Sequence, residues 1–472
     1  MTNFFSTVFG ALHQGINFVS GILYQPYVVP LLLLAAGIWF TIRTKFIQGR
    51  MFKEACSVIS EKPGKEGGIS SFGALMVSTA SRLGTGNIIG VSTALCLGGP
   101  GAIFWMWVTA ILGGASAFIE STLAQMYKEK DSDGTFKGGP AYYMSKALGQ
   151  RWLGVIFSVI IILIYALGYN LLASYNLQST FSTFNFYSNS TPYIIGAILA
   201  VLFGIIVIGG SKRLVKVTEY LVPIMGLVYV IISLAVVLMN FSQFPAMIEN
   251  IFKNAFDFKS IFGGFAGSGI MWVSKRGLHS NEAGMGSAPN AAAKADVSHP
   301  VKQGLVQMLS VFIDTLLICT ASAFMFLISG VEPTADAAGA VFVQNSMRAT
   351  LGSFGPVFLS IAMSLFAFTT LIGNYSYCEG CLAFILKRDC KKWELILFRI
   401  LATIVVFVGA IASAGFVWDL ADMLQGLAVL INIPVILILG GKAFNCLEDY
   451  IKQKKEGKDP VYTWPETQVD NL

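Results

Sequence analysis

The segment SRLGTGNIIG, residues 81–90, places Arg82, Thr85, Asn87 and three glycines within an otherwise apolar run. Each glycine lowers helix stability by about 1 kcal/mol relative to alanine, and a cluster of them lets the backbone unwind and approach a ligand closely. A second cluster, GGFAGSG at 263–269, combines four glycines with Ser268. Both clusters indicate backbone that could bind a ligand, although small residues also serve close packing between membrane helices.

Four charged residues also fall within apolar segments: Arg82, Glu120, Asp314 and Glu379. An unpaired charge at membrane depth costs at least about 2.5–3.5 kcal/mol, so each should face protein or water and have a partner. We expect Arg82 to pair with one of the three acids, either in a gate or as a structural contact. For Glu379, burial in the protonated form is an alternative that would make proton coupling conceivable.

The elements that must position these residues are membrane spans. Hydrophobic residues make up 55% of the 472 and charged residues 12%, with a mean hydropathy of +0.67. These values indicate an all-α polytopic membrane protein rather than a β-barrel, and one helical span needs roughly 20 mostly apolar residues. Eleven segments qualify, at 25–42, 70–96, 102–127, 152–182, 192–210, 215–240, 263–278, 303–329, 354–386, 395–414 and 420–441.

The positions of Lys and Arg predict the orientation of these spans. With the N-terminus outside, most of the 32 basic residues fall in inner segments. Those segments are 43–69, 128–151, 211–216, 275–302, 387–399 and the chain beyond 441. This imbalance follows the positive-inside rule and predicts a cell-membrane protein, of the bacterial inner membrane, with a cytoplasmic C-terminus. The net charge of +6 then reflects topology and does not indicate nucleic-acid binding.

The ten spans after the first divide into two sets of five with opposite starting directions. Inverted five-helix repeats are an architecture of secondary transporters, which bind their solutes where helices are interrupted. The glycine clusters occur in the first helix of each set, as this architecture predicts. We therefore divide the chain into an extra helix and cytoplasmic loop, two repeats and a solvated cytoplasmic tail, at 1–69, 70–240, 241–441 and 442–472. Residues 332–350 are either an external lid helix or a packed loop.

Other functions have less support in the sequence. The pair Cys378 and Cys381 lies in an apolar helix without a redox context, and the three histidines have no metal-ligand cluster around them. No nucleophile–histidine, paired-carboxylate or HExxH arrangement suggests an enzyme, and no organic cofactor is expected. A channel would need a continuous polar pore. A transporter that moves its solute by alternating access is the leading hypothesis.

Five ordered motifs resemble the sodium:alanine symporter family, also called alanine or glycine:cation symporters. They are KEGGISSFGALMVSTASRLGTGNIIGV (65–91), GGPGAIFWMWVTAILG (98–113), GGPAYY (138–143), SNEAGMGSAP (280–289) and FAFTTLIGNYSYCE (366–379). The resemblance implies the leucine-transporter fold, with one extra helix before a five-plus-five inverted core. It also implies symport of a small neutral amino acid with Na⁺. Proton-coupled uptake is the alternative within the transport class.

The resemblance also implies a sodium site between the unwound first core helix and the eighth core helix. Aligning GTGN assigns main-chain carbonyls and threonine hydroxyls as its ligands. These are the carbonyls of Ala80, Leu83 and Phe366 and the hydroxyls of Thr369 and Thr370. A hard cation prefers oxygen ligands, and an unwound helix frees carbonyls. From the residues alone, membrane threonines more often return hydrogen bonds to their own helix.

An amino-acid zwitterion needs a different helix end for each charge. Free amides should meet its carboxylate at Gly84, Thr85, Gly86 and Asn87. Free carbonyls should meet its ammonium at Phe265, Ala266 and Gly267. Candidates for the apolar wall are Phe265, Met271 and Trp272, although membrane aromatics more often serve packing or lipid contact.

Two positions depart from the pattern common in the family. Asn374 stands where several members have tryptophan and others asparagine, which predicts a pocket that accepts a bulkier or more polar side chain, as in serine or glutamine. Gly73 stands where the family commonly has glutamine, so no substrate or gating role is transferred to it. In the block after Lys275 and Arg276 on the inner side, Asn281 and Glu282 are expected either to hinge an inner gate or to form a simple turn.

Overall fold

A computed structural model describes residues 2–25, 28–63, 68–130, 134–257 and 269–463 of the chain. Apart from a short antiparallel hairpin of β1 (Glu129–Lys130) and β2 (Phe136–Lys137), the regular structure of these ranges is helical. The first helices are α1 Thr2–Tyr24, α2 Val28–Arg43, α3 Ile47–Arg50, α4 Phe52–Val58, α5 Ser71–Arg82, α6 Ile89–Gly98, α7 Ala102–Met126, α8 Pro140–Ala147, α9 Arg151–Ile162, α10 Tyr169–Ser179, α11 Thr191–Ile208 and α12 Gly210–Met239. The remaining helices are α13 Phe244–Ala255, α14 Gly269–Asn281, α15 Pro289–Ala292, α16 Pro300–Val311, α17 Thr320–Leu327, α18 Ala340–Leu351, α19 Phe354–Leu386, α20 Lys392–Ile411 and α21 Ala414–Lys455.

Nine helical stretches of the described ranges are long and apolar enough to cross a membrane. They are Gly10–Arg43, Ala102–Met126, Arg151–Ser179, Thr191–Ile208, Arg213–Met239, Pro300–Leu327, Phe354–Leu386, Lys392–Ile411 and Ala414–Lys455. The two predicted spans outside this set are those with glycine clusters. The span at 70–96 is broken into two short helices, and the span at 263–278 is described only from Gly269 onward.

The break in the first of these spans begins directly after α5. Leu83 leaves the helical conformation, with φ −70° and ψ 79°, and Gly84 is extended. A single 3₁₀ turn, Thr85–Asn87, then leads into α6. The prediction of an interrupted helix is therefore confirmed for this segment. Two other spans contain π-helical turns, at Leu163–Gly168 between α9 and α10 and at Phe312–Cys319 between α16 and α17.

Glycines allow two close helix contacts, of which the first lies at the break. Gly373 of α19 lies against the main chain of Ser81, where an added Cβ would be 2.8 Å from the Ser81 Cα. Gly304 of α16 lies against α7, where an added Cβ would be 2.8 Å from Phe118. These contacts fix α19 beside the end of α5 and α16 beside α7, as expected for small residues between membrane helices.

Two ends of the chain differ from the sequence prediction. Helix α1 precedes the predicted first span and packs on α21, where His13 lies 2.9 Å from Asp419. At the other end, α21 continues to Lys455 with Tyr450 buried, and the Tyr462 amide donates to Ser298 O at 2.9 Å. Helix α21 therefore continues past 442 with one buried face as far as Tyr450, whereas most residues from 451 to 463 are exposed. The loop at 332–350 contains α18, whose Phe342 and Met347 are buried, so it is both helical and packed.

Candidate functional site

The break between α5 and α6 lies against two other helices. An added methyl group at Gly84 would overlap the hydroxyl of Thr370 on α19. At Gly86, an added Cβ would be 2.5 Å from Cδ2 of His279 on α14. Glycine is therefore required at both positions because neighbouring side chains approach the backbone closely. A positive φ is not the reason, since neither residue has one. Backbone freed from helical hydrogen bonds is brought against side chains of α14 and α19.

Asn87 organises the turn. Its Oδ1 accepts from the Gly84 amide at 2.9 Å, and its Nδ2 donates to Asp314 Oδ1 at 2.7 Å. Asp314 also accepts from the hydroxyls of Ser280 and Thr315, the latter at 2.9 Å. Asp314 is completely buried, and its carboxylate is therefore held by three donors beside the break.

Arg82, at the end of α5, faces a different acid from those predicted. Its Nε lies 3.7 Å from Glu282 Oε2, and both side chains are fully buried. Glu282 also accepts from Ser81, Ser287 and Tyr377 at 3.0, 2.9 and 3.2 Å. The expected pairing with Glu120, Asp314 or Glu379 is therefore wrong as a direct contact. The loop after α14 carries Glu282 into the interior, where a buried carboxylate needs a partner.

The two remaining acids have their own partners. Glu120 accepts from the amides of Gly284 and Gly286 at 3.3 and 3.1 Å and from Asn432 Nδ2 at 2.8 Å. Glu379 accepts from the Tyr375 hydroxyl at 2.8 Å and lies 3.4 Å from Arg399 Nη2. Glu120 thus holds the turn that presents Glu282, and Glu379 is paired with a cation.

The predicted sodium ligands lie on α5, on the break and on α19, and these elements pack together where Gly84 approaches Thr370 and Gly373 approaches Ser81. Ala80, Leu83 and Phe366 are buried at this contact, as are the two threonines. Thr369 Oγ1 donates to Leu365 O and Phe366 O at 3.0 and 3.1 Å, and Thr370 Oγ1 donates to Phe366 O at 2.7 Å. Both hydroxyls therefore make the intrahelical bonds usual for membrane threonines, Thr369 Oγ1 also lies 3.5 Å from Met225 Sδ on α12, and Thr370 Oγ1 lies beside Gly84 at the break.

The structure places most predicted substrate residues around the same break. Thr85 Oγ1 accepts from Asn176 Nδ2 at 3.0 Å, and Met271 is buried on α14. Asn374 accepts from Ser81 Oγ at 2.7 Å and donates to Asn170 Oδ1 at 3.0 Å. Phe265, Ala266 and Gly267 lie outside the described residues.

A cavity of about 410 Å³ opens beside the break. Its lining combines Thr93 and Asn176 with the 338–341 segment that leads into α18. Trp272, the third predicted wall residue, also lines it. The cavity therefore lies between the 338–341 segment and Asn176, which donates to Thr85 at the break.

Sequence reasoning missed the charge cluster in the wall of this cavity. Arg276 donates from Nη1 and Nη2 to the Asp422 carboxylate at 3.3 and 3.2 Å, and Lys275 Nζ lies 3.2 Å from Asp422. Lys275 and Arg276 do not follow the span as predicted, because α14 continues through them to Asn281. Their signal in the sequence was Asp422 itself, an acid in the apolar span 420–441.

The fold and the interrupted helix define the protein as a multi-pass membrane transporter. The chain belongs to the sodium:alanine symporter family, whose model matches residues 10–464. It is 45% identical over 431 residues to "Amino-acid carrier protein AlsT" of Bacillus subtilis, covering 91% of each chain. It is also 45% identical over 433 residues to "Probable sodium/glutamine symporter GlnT" of the same organism, covering 91% of this chain and 89% of that one.

Among solved structures, the crystal structure of MhsT in complex with L-phenylalanine is similar, with a TM-score of 0.54. The match covers 79% of this chain and 89% of that chain at 16% identity. At this identity the likeness establishes the fold alone, and it confirms the predicted leucine-transporter architecture.

Proposed function

We propose that the protein imports a small neutral amino acid together with Na⁺ by alternating access. The observation that carries this proposal is the break between α5 and α6, whose freed main chain lies against Thr370 of α19 in a chain of the sodium:alanine symporter family. The family name and the relatives' names favour alanine or glutamine as the solute, and glycine and serine are further candidates among small neutral amino acids.

The sodium site would use the carbonyls of Ala80, Leu83 and Phe366 and the hydroxyls of Thr369 and Thr370. Burial of this set excludes bulk water, and the oxygen ligands suit a hard cation. The threonine hydroxyls can keep their intrahelical bonds while their lone pairs face the ion. Glu379 is less suited to proton coupling than the sequence suggested, because Arg399 lies 3.4 Å away.

The substrate carboxylate would meet the amides at Gly84, Thr85, Gly86 and Asn87, and Met271 would contribute to the apolar wall. The ammonium group of the substrate would meet carbonyls at Phe265, Ala266 and Gly267. Asn374 would border the substrate side chain, although Ser81 and Asn170 already bind its amide. The division into repeats at 70–240 and 241–441, with the N-terminus outside, would make the 410 Å³ cavity the outer entrance.

Uptake of labelled alanine and glutamine into proteoliposomes tests the proposal, with sodium and proton gradients imposed separately. We expect saturable uptake that requires the inward sodium gradient. Uptake driven by the proton gradient alone would favour the alternative of proton coupling. Uptake insensitive to both gradients would contradict symport.

Thr369→Val tests the ion site, because it removes a proposed ligand and keeps the side-chain shape. We expect the sodium concentration for half-maximal uptake to rise at least about tenfold, as expected for the loss of one charge–dipole contact of about 1.4 kcal/mol. Thr403→Val on α20 is the matched control, since Thr403 also donates to its own helix, at Arg399 O. An equal response of both variants would remove Thr369 from the site.

A further inference from the structure

A cavity of about 260 Å³ opens between the β1–β2 hairpin, α8, the start of α9 and the end of α19. Five basic residues and one acid among the described residues line this basic cavity. It shares no lining residue with the 410 Å³ cavity beside the break. Its volume is near the lower limit of ligand pockets, about 300 Å³. The charged lining residues are Lys137, Lys146, Arg151, Lys387, Arg388 and Glu129.

Carboxylates neutralise three of the five cations. Each of these three basic side chains lies within salt-bridge distance of an acid, so it contributes little net charge to a ligand in the basic cavity. The pairs are Lys137 with Asp389, Lys146 with Glu129 and Arg388 with Glu394, at 2.7, 3.2 and 2.5 Å.

The other two cations, Arg151 and Lys387, have no carboxylate partner among the described residues. Arg151 Nη2 donates to the carbonyls of Phe384 and Ile385 at 2.9 and 3.3 Å, and its guanidinium lies 4.8 Å from the centre of the Phe384 ring. The guanidinium is therefore held in place, while its Nε and Nη1 can donate to a ligand. The Lys387 side chain is exposed and makes no hydrogen bond or ion pair within the described ranges. Two uncompensated positive charges thus line one cavity.

These two residues lie at the ends of membrane spans. Arg151 is the first residue of the span Arg151–Ser179, and Lys387 directly follows the span Phe354–Leu386. Both belong to segments that the positive-inside rule predicts to be cytoplasmic. The basic cavity therefore lies at the depth of the lipid head groups, on the predicted inner surface.

The outer surface of α9 next to the basic cavity suits contact with lipid. Trp152, beside Arg151, is 61% exposed, and tryptophan is enriched where membrane and water meet. Ile156 and Val159 are also exposed, and their spacing from Trp152 places all three on one face of the helix. A head group in the basic cavity would therefore have apolar helix surface beside it for its acyl chains.

A phosphodiester complements the two uncompensated cations. Its anionic oxygens can accept two hydrogen bonds from a guanidinium and can pair with an ammonium group. A zwitterionic head group would bring its own cation into an excess of positive charge, whereas an anionic one would not. Basic pockets between membrane helices on the cytoplasmic side are a known mode of binding for anionic lipid head groups.

We propose that Arg151 and Lys387 bind the phosphate of an anionic phospholipid of the phosphatidylglycerol type from the inner leaflet. The bound lipid would join the start of α9 to the end of α19. This site is separate from the proposed transport function, and its test requires no uptake.

Thermal unfolding of the whole protein in a neutral detergent tests the site, because a ligand that binds the folded state raises Tm. The probes are phosphatidylglycerol, phosphatidylcholine with the same acyl chains, and the soluble head group glycerophosphoglycerol. We expect phosphatidylglycerol to reach half of its effect at a concentration at least about fivefold lower than phosphatidylcholine. Equal effects of the two lipids would overturn the proposal. An equal rise in Tm with glycerophosphoglycerol would indicate a site for soluble phosphates and would also overturn it.

Variants assign the effect to the basic cavity. Lys387→Gln removes a side chain without partners, and we expect it to weaken the phosphatidylglycerol response about fivefold, as for one basic residue near an anionic surface. The double variant Arg151→Gln, Lys387→Gln should weaken it at least about tenfold. Neither should change the response to phosphatidylcholine.

The control is the double variant Lys53→Gln, Lys455→Gln. It removes the same charge from exposed positions of α4 and α21 that do not line the basic cavity. Equal weakening in the control and in Arg151→Gln, Lys387→Gln would show attraction to the whole basic surface and would refute the site. An unchanged phosphatidylglycerol response in Lys387→Gln and in its double variant would refute it as well.

Discussion

Two buried arginines lie near the interrupted helix in contrasting surroundings. Arg82 has one carboxylate, Glu282, at 3.7 Å, and its Nε and Nη2 atoms have no hydrogen bond among the described residues. Arg276 makes two bonds to Asp422, and its guanidinium lies 3.9 Å from the centre of the Trp418 ring. Arg82 thus makes one long contact to a carboxylate in the interior, whereas Arg276, which is also buried and has one unbonded Nε, makes two bonds to its carboxylate and lines the cavity.

The difference distinguishes the two sides of the break. Separating a sealed ion pair leaves an uncompensated buried charge, which costs about 3–5 kcal/mol. An ion pair beside a cavity that can hold water loses less when it separates, because water can solvate its members. We infer that the Glu282 side of the break is the tightly closed one and that the Asp422 side opens at lower cost.

Glu282→Gln should have the largest effect. It leaves Arg82 as an uncompensated buried charge, so we expect a loss of about 3–5 kcal/mol in unfolding free energy and at least tenfold slower uptake. Thermal unfolding in detergent and proteoliposome uptake would measure the two effects. The double variant Arg82→Met, Glu282→Gln should recover most of the stability. A double variant as unstable as Glu282→Gln would show that the charge pair is not the cause.

Gly84→Ala should come next. The added methyl group overlaps the Thr370 hydroxyl, so we expect the break and α19 to separate and sodium-driven uptake to fall about tenfold or more. Gly90→Ala is the control in α6, where an added Cβ would have its nearest contact at 3.8 Å from Arg276. Equal loss of uptake in both variants would indicate a general intolerance of α6 to larger residues.

Asp422→Asn should have a smaller effect on stability than Glu282→Gln. It leaves Lys275 and Arg276 without their shared carboxylate, but the cavity can hydrate them, so we expect a loss of about 1–3 kcal/mol in thermal unfolding experiments. Asp419→Asn is a suitable control, because Asp419 lines the same cavity and bonds to His13 instead. A loss as large as that of Glu282→Gln would mean that both sides are equally sealed.

Thiol labelling should disturb the protein least of these experiments. It compares the solvent accessibility of the cavity wall with that of the opposite face of the membrane. The first variant combines Ala338→Cys, in the cavity wall, with Cys56→Ser. We expect a membrane-impermeant maleimide to label this variant in intact cells. Native Cys56, which is exposed in α4, should be labelled only after permeabilisation. Labelling of Cys56 in intact cells would reverse the proposed orientation.

Much of this architecture could be predicted because it depends on local composition. Apolar runs of span length marked most of the membrane helices, and the glycines between Arg82 and Ile89 marked the break. Motifs such as SNEAGMGSAP indicate the family from the sequence alone. The sequence did not predict which charged residues pair with each other in the folded protein. Nothing local to Arg82 distinguishes Glu282 from Glu120, and nothing local to Arg276 marks Asp422 as its partner.

The sequence by itself thus determined the class of protein, the interrupted span and the family, because hydropathy, glycine clusters and ordered motifs are read along the chain. Only the tertiary structure decided that Arg82 meets Glu282 and that Arg276 meets Asp422. These contacts join residues about 150 to 200 positions apart or helices from different parts of the chain. Burial makes such pairings obligatory, but helix packing selects which charges and amides meet.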